Sequence, residues 1–214
     1  MKRAQAKACQ MVDRVLSGLV VGEGETEQEV SQRIKLKLKA LGAQPAFRII
    51  VASGRRAAKP HGFATNKRIK KGELVVIDFG ALYNGYRSDI SRTRIVGKPT
   101  RKQKKIYRIV LQAQQKAIKA VKAGAVCAEV DQAARDHVAK NGFGKNFVHS
   151  TGHGIGRKVH EAPKISKRNR NRLRRGMVIT IEPGIYIKGW GGVRIEDMVL
   201  VTRQGCRVLT KAKK

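Results

Sequence analysis

Two stretches of this chain, 104 residues apart from Asp78 to Glu182, present acids in the same setting, and that recurrence constrains the fold more than any other feature. The first runs Val75-Val76-Ile77-Asp78-Phe79-Gly80, reaches Asn84-Gly85, and returns through Arg87-Ser88-Asp89-Ile90-Ser91. Asn-Gly is the preferred centre of a two-residue hairpin turn. It pairs Tyr83 with Tyr86. Counting outward, Asp78 opposes Ser91 and Asp89 opposes Gly80, so the two aspartates are diagonal neighbours on one face, ~7–8 Å apart at Cα. The second stretch runs Thr180-Ile181-Glu182-Pro183-Gly184 and returns through Val193-Arg194-Ile195-Glu196-Asp197. A five-residue loop at 187–191 sets Glu182 directly against Glu196.

The same order of elements precedes each hairpin. Helices are expected over 3–20 and 26–42, the second opened by a capping box of Thr26 and Glu29 and striped by Val30, Ile34, Leu38 and Leu41. A strand near 47–53 and a loop with Pro60-His61-Gly62 lead to the first hairpin, about 73–95. In the second half, helices are expected from Thr100 to about Lys122 and over 127–141, ending at Asn141-Gly142. A glycine-rich loop with His149, His153 and His160 leads to the second hairpin, about 177–202. The chain thus reads as an α+β single domain, 1–214, of two related halves, about 1–99 and 100–214, around a shared site.

Opposed carboxylates on an apolar sheet repel each other, and buried anions without partners are very costly. A divalent cation resolves both. Four carboxylates and one imidazole can hold two hard-to-borderline cations. His153 lies in Gly152-His153-Gly154-Ile155-Gly156, where glycines let the backbone approach and leave the imidazole unobstructed. It is the expected fifth ligand beside Asp78, Asp89, Glu182 and Glu196. His61 and His160 are candidates for stabilising an oxyanion or shuttling a proton. His149 is a candidate supporting group near His153, and His137 reads as structural.

Charge sets this reading in relief. Lys and Arg number 47 against 15 Asp and Glu, a net charge of +32. The excess is spread: residues 90–128 hold eleven cations and no acid, and residues 162–181 hold seven and no acid. Aromatics are only 5%, unlike a nucleic-acid reader that interleaves rings with cations. The surface reads as stripped of acids, by engineered supercharging in its simplest form or by an unusual ionic setting. It is expected to bind polyanions, including nucleic acid, non-specifically. Six of the 15 remaining acids, Asp78, Asp89, Glu161, Glu182, Glu196 and Asp197, fall in the motifs above. Cys9, Cys127 and Cys206 are odd in number and far apart, which argues against a disulfide framework and for a reducing cytoplasm. No apolar run is long enough to span a membrane, and no signal peptide is evident. The basic tail Lys211-Ala212-Lys213-Lys214 is expected to fray.

Taken together, Val76-Ile77-Asp78-Phe79-Gly80, Asp89-Ile90-Ser91-Arg92-Thr93, Gly152-His153-Gly154-Ile155-Gly156, Ile181-Glu182-Pro183-Gly184-Ile185-Tyr186 and Gly192-Val193-Arg194-Ile195-Glu196-Asp197 resemble the prolidase and aminopeptidase P branch of the pita-bread metallopeptidases. The resemblance covers about residues 5 to 210. It implies two pseudo-symmetric αα-β halves around a curved antiparallel sheet, and Asp78, Asp89, His153, Glu182 and Glu196 as ligands of two metals. It also implies His61 and His160 as catalytic or substrate-binding histidines, Glu182 as proton shuttle and Arg194 as the group orienting the neighbouring carboxylates. Where prolidases carry a carboxylate-binding arginine after the H-E-x-P segment, this chain has Lys164, which cannot grip a carboxylate in bidentate fashion. The separate N-terminal domain of the branch is not expected here.

The expected activity is hydrolysis of Xaa-Pro bonds at peptide N-termini or in dipeptides, by a water that two metals share and acidify. Oxygen-rich ligation favours manganese or cobalt, with zinc as the other choice. The expected partners are a peptide with proline at its second position and a second copy of the chain in a homodimer. Two other readings remain open. One is a methionine aminopeptidase-like enzyme. The other is a catalytically impaired pita-bread module that binds nucleic acid through its basic surface.

Overall fold

The structure, a computed structural model, describes residues 1–214. The first half runs α1 (Arg3–Ser17), α2 (Glu27–Ala40), β1 (Gln44–Pro45), β2 (Ile50–Ser53), β3 (Leu74–Phe79), β4 (Ala81–Tyr83), β5 (Tyr86–Arg87) and β6 (Ile90–Ile95). The second runs α3 (Arg101–Ala120), α4 (Cys127–Lys140), β7 (Gly152–Gly154), β8 (Glu161–Ile165), β9 (Val178–Ile181), β10 (Gly184–Ile187), β11 (Gly191–Arg194), β12 (Asp197–Val201) and β13 (Cys206–Val208). Every strand pairing is antiparallel, and the central sheets are β2-β3-β6 and β13-β12-β9-β7-β8. This is the pita-bread α+β fold.

Local chemistry starts the elements where expected. Thr26 and Glu29 form a capping box at α2, and Thr100 and Gln103 form another at α3. Each box satisfies two otherwise orphaned N–H groups. Val30, Ile34 and Leu38 are fully buried from one face of α2. Asn84 and Gly85 take φ of 46° and 76°, the left-handed pair that a type I′ turn requires. The register follows: Tyr83 pairs with Tyr86, and Asp78 with Ser91.

The two halves repeat in their backbone bonding. Gly24 N–H donates to the Ile69 carbonyl and Glu27 N–H to Lys67; Gly124 N–H donates to Leu173 and Cys127 N–H to Asn171. The isolated bridges Thr26–Arg68 and Val126–Arg172 match in the same way. Two apolar clusters form, one built mainly from α1, α2 and the first hairpin, the other from α3, α4 and the second. At ~25 cal/mol per Å² of apolar area, these clusters supply most of the drive to close the sheets over the site between them.

Two expectations need correction. The second hairpin turns through three residues, 188–190, not five, because Gly189 at φ +78° allows a tighter reversal with Ile187 still paired to Gly191. Pairing sums are unchanged by this, so Glu182 and Glu196 still occupy facing positions. The C-terminal tail does not fray. Lys211 and Ala212 donate their N–H groups to Asp13, and the Ala212 carbonyl accepts two bonds from the buried Arg92 at 3.2 and 2.7 Å. Lys214 Nζ lies 2.6 Å from Asp197. Buried charges from remote parts of the chain hold the tail down, which local composition does not reveal.

Candidate metal centre

The carboxylates gather where each hairpin comes apart. Beyond Phe79 and before Ile90 the first hairpin changes sheets, and Asp89 sits at that break. In the second, the pairing is interrupted between Ile181–Asp197 and Gly184–Arg194. There Glu182 N–H donates to the Thr151 carbonyl at 2.8 Å, and Glu196 N–H donates to Ser91 in the other half at 3.1 Å. Backbone bonds that would have closed one hairpin instead join it to its neighbours, so side chains from both halves face one space.

Ligand atoms of Asp89, His153 and Glu196 lie within 4.8 Å of one another. His153 Nε2 is 3.3 Å from Glu182 Oε1 and 3.9 Å from Asp89 Oδ2. Its Nδ1 is 2.9 Å from the Gly154 carbonyl, so Nδ1 carries a proton there and Nε2 is the nitrogen turned toward the acids. That is the arrangement by which metal-binding imidazoles are oriented. The glycines on either side are sterically required. A Cβ on Gly152 would fall 1.9 Å from the Thr180 carbonyl oxygen, and one on Gly154 would fall 2.3 Å from that of Ala162. Asp78 Oδ2 accepts from Arg194 Nη2 at 2.5 Å. Asp78 Oδ1 and Asp89 Oδ1 are buried without any partner.

Electrostatics report crowding. Burial, then the charges of Glu196, Asp78 and Glu182, pushes the Asp89 carboxyl well above the usual range. Burial, then Glu182 and Asp78, does the same to Glu196. Burial also opposes the ionised form of Glu182, but the His153 hydrogen bond and charge outweigh it and bring Glu182 down to about 2. For His153, burial favours the neutral ring, yet bonding to Glu182 raises its affinity for a proton. The acids outnumber the cations available to neutralise them, which is the condition for holding divalent ions.

Arg194, buried among them, ties the site together. It donates to Asp78, to Ser91 Oγ at 2.9 Å, to the Pro60 carbonyl at 3.0 Å and to the Tyr186 hydroxyl at 2.8 Å. Tyr186 in turn lies 2.9 Å from His149 Nε2, and His149 Nδ1 is 2.8 Å from the Ser150 carbonyl. One tautomer satisfies the chain: Tyr186 donates to His149 Nε2, and His149 Nδ1–H donates to Ser150. Burial holds His149 neutral, in keeping with that tautomer. His160 is exposed, its ring edge-on to His153 at 4.5 Å between centroids. His61 is exposed on the loop whose Pro60 carbonyl Arg194 holds. Lys164 pairs with His153 across β7 and β8, but its side chain is exposed and its ammonium joins no ion pair. Of the other motif acids, Asp197 is taken up by Arg92, Gln114, Thr210 and Lys214, and Glu161 accepts from Lys158 N–H at 2.8 Å. His137 lies on α4, away from this set.

Sequence reasoning passed over several participants. Thr180 Oγ1 accepts from His153 N–H and donates to Glu182 Oε1 at 3.1 Å. Its position two residues before Glu182, on the same strand face, was the available signal. Ser91 Oγ donates to Glu196 Oε2 at 2.8 Å, and the hairpin register had already set Ser91 beside Asp78. Met198 Sδ accepts from Asp89 N–H at 3.2 Å, and Asp131 on α4 anchors Thr151 through both N–H and Oγ1. Nothing local marks Met198, Asp131 or Tyr186.

Comparison with known proteins agrees with the motifs. Residues 1–203 match the family described as metallopeptidase family M24. A Xaa-Pro dipeptidase of Pyrococcus furiosus is 50% identical over 211 residues, which is 97% of this chain and 61% of that protein. The solved prolidase from the same organism superposes with a TM-score of 0.96 at 50% identity, covering 99% of this chain and 64% of that one. An X-Pro aminopeptidase structure from Thermotoga maritima gives a TM-score of 0.95 at 41% identity, covering 98% and 60%. The chain spans about 60% of the length of the curated relatives it matches.

Proposed function

Since the chain belongs to metallopeptidase family M24, we propose that it hydrolyses peptide bonds ahead of proline, with residues 1–214 acting as one catalytic unit of two pseudo-repeat halves, about 1–99 and 100–214. The observation that carries this reading is the meeting of Asp78, Asp89, His153, Glu182 and Glu196 from both halves, with two buried carboxylate oxygens left unpartnered. Those orphaned oxygens and the lone pair on His153 Nε2 fit divalent cations. We assign the five side chains as the ligands of two such ions, manganese or cobalt from the predominance of oxygen donors. When bound, the ions supply Lewis acidity toward a water and the scissile carbonyl.

The protein's own groups do the rest. Glu182, ionised at neutral pH, takes a proton from the attacking water and returns it to the proline nitrogen as the bond breaks. His160 lies beside His153, and the desolvation of its ring there lowers its proton affinity. It is therefore neutral at pH 7, and its ring N–H donates to the developing oxyanion. His61 lines the approach from the other half. Arg194 holds Asp78 in place through a bidentate-capable head also fixed by Tyr186 and Pro60. Lys164, one strand from His153, meets the carboxylate end of a short substrate as a point charge. Retention of all five ligands speaks against an inert binding module. No helix is long and apolar enough to cross a membrane, and the three cysteines are free, which supports a reducing cytoplasm as the site of action.

The test is turnover after chelation. Restoring Mn²⁺ or Co²⁺ to chelated protein should recover cleavage of Xaa-Pro peptides and leave Met-Ala peptides intact. Failure to bind metal or to recover either activity refutes the peptidase reading, and preferential cleavage of Met-Ala moves it to the methionine-directed branch.

A further inference from the structure

The site makes no use of the arginines of the acid-free segment at 162–181. In the fold, Arg170, Arg172, Arg174 and Arg175 lie on the connection between β8 and β9, and all four are exposed. This connection is held along its length. Ala128 N–H donates to the Asn169 carbonyl, Cys127 N–H to Asn171, and Leu173 exchanges bonds with Ala125 and Gly124, all at 2.8–2.9 Å. Leu173 itself is buried. Arg170, Arg172 and Arg174 are thus exposed along a fixed edge. The same seam gathers its neighbours: Ala123 N–H donates to Thr202, and Gly176 N–H to Val201. Exposed Lys122 and Arg203 join the edge in this way.

The first half offers a partial contrast. Its matching connection is pinned by equivalent bonds, and one of its four cations, Lys67, is neutralised by Glu73 at 2.6 Å, while Arg68, Lys70 and Lys71 join no ion pair. None of the six cations of the second-half edge takes part in any of the molecule's ion pairs. Arg172 Nη1 donates to the Gly124 carbonyl at 2.8 Å, but the edge has no carboxylate partner, and uncompensated like charges at one edge repel one another.

We propose that this edge binds the phosphate backbone of double-stranded DNA without regard to base sequence. Guanidinium groups match phosphate oxygens in geometry and charge. Residues 162–181 contain no aromatic ring, so the edge offers no platform on which single-stranded bases could stack. Arginine and lysine present donors only, which suit the phosphate oxygens that run along both strands of a duplex. Only Met1 among the exposed large apolar side chains borders the edge, too little for insertion into lipid.

The test titrates the intact protein against a fluorescent 20-base-pair DNA duplex, by anisotropy, across salt concentrations. The edge variant is Arg170→Gln, Arg174→Gln, Arg175→Gln. A charge-matched control is Lys7→Gln, Lys35→Gln, Lys39→Gln, all exposed on α1 and α2. We expect the edge variant to bind at least ten-fold more weakly at 0.1 M salt, with the log–log salt slope reduced by about two or more, and the control to change less than about three-fold. Xaa-Pro hydrolysis should be unchanged in both, which also reports that they fold. Should the triple variant misfold, Lys122→Gln with Arg203→Gln is expected to act in the same direction. Equal losses in edge and control variants overturn the proposal, since they reflect net charge alone. So does an absence of binding at 0.1 M salt, or tighter binding to single-stranded DNA, to an RNA duplex or to anionic vesicles.

Discussion

Removing divalent cations should reverse the way this protein's stability responds to acid. Asp89 and Glu196 are 4% and 1% exposed, and burial followed by neighbouring acids raises both carboxyls well above their usual range. In the metal-free protein each binds a proton more tightly folded than unfolded. Their contribution to stability is therefore fully present below the unfolded value near 4 and is lost as pH rises through the folded value. Each group contributes a slope of up to ~1.4 kcal/mol per pH unit, so the pair gives up to about 2.7 kcal/mol per pH unit across that window. Glu182 works in the opposite sense, but its stabilisation is lost only as pH falls from the ordinary range toward about 2, below the window. Asp13, also raised by burial, acts alike with and without metal and cancels in the comparison. Bound cations require the deprotonated ligands, so the loaded protein gains stability with pH. The assay is urea unfolding at pH 7, 6 and 5 for chelated and Mn²⁺-restored protein. The chelated midpoint should rise on going to pH 5 while the restored one falls. Parallel loss of stability in both forms over this range would refute the account of the site as a crowded set of acids awaiting cations.

Four further outcomes follow. Arg92→Leu removes a buried guanidinium that holds Asp197, the Ala212 carbonyl and the carbonyls of Ser91 and Glu196, and should cost about 3–5 kcal/mol in urea unfolding. Asp131→Ala strands the N–H and hydroxyl of Thr151, whose carbonyl holds Glu182, and should cost about 2–4 kcal/mol together with a drop in kcat. His160→Ala should lower kcat on an Xaa-Pro peptide by about 10²-fold while metal content by elemental analysis stays unchanged. Since a net charge of +32 repels cations until salt screens it over ~10 Å at 0.1 M, metal retention should weaken in low-salt buffer, as equilibrium dialysis would show.

Much of the fold could be read from local rules. Asn84-Gly85 dictated its own turn, and the period of two along a strand then fixed which residue faced Asp78. Thr26 with Glu29 marked a helix start without reference to anything distant. The acids of the site were legible because they interrupt apolar strands in a chain that otherwise carries few acids. What was not legible depends on contacts between remote segments. Met198 lies 109 residues from the Asp89 N–H it accepts, and Asp131 lies on a helix whose surface pattern gives no hint of Thr151. The tail looked like solvated lysines because its anchors, Asp13 and Arg92, stand 199 and 120 residues away. Lys164 was legible only as the residue after the H-E-x-P segment; its pairing with His153 across β7 and β8 depends on a strand register that local sequence did not mark.

The docked tail also orders events during translation. Arg92 bonds at once to the Ala212 carbonyl and to the backbone of Glu196, so the segment around residue 212 and the carboxylate cluster share one guanidinium. Helices α1 and α2 can pack as they leave the ribosome, since domains begin to fold from the N-terminal side. Arg92 then waits, without its final acceptors, through the synthesis of the next 120 residues. Until residue 212 has been made, Arg92 lacks the carbonyl that Ala212 supplies, so the backbone at Glu196 acquires its last support late.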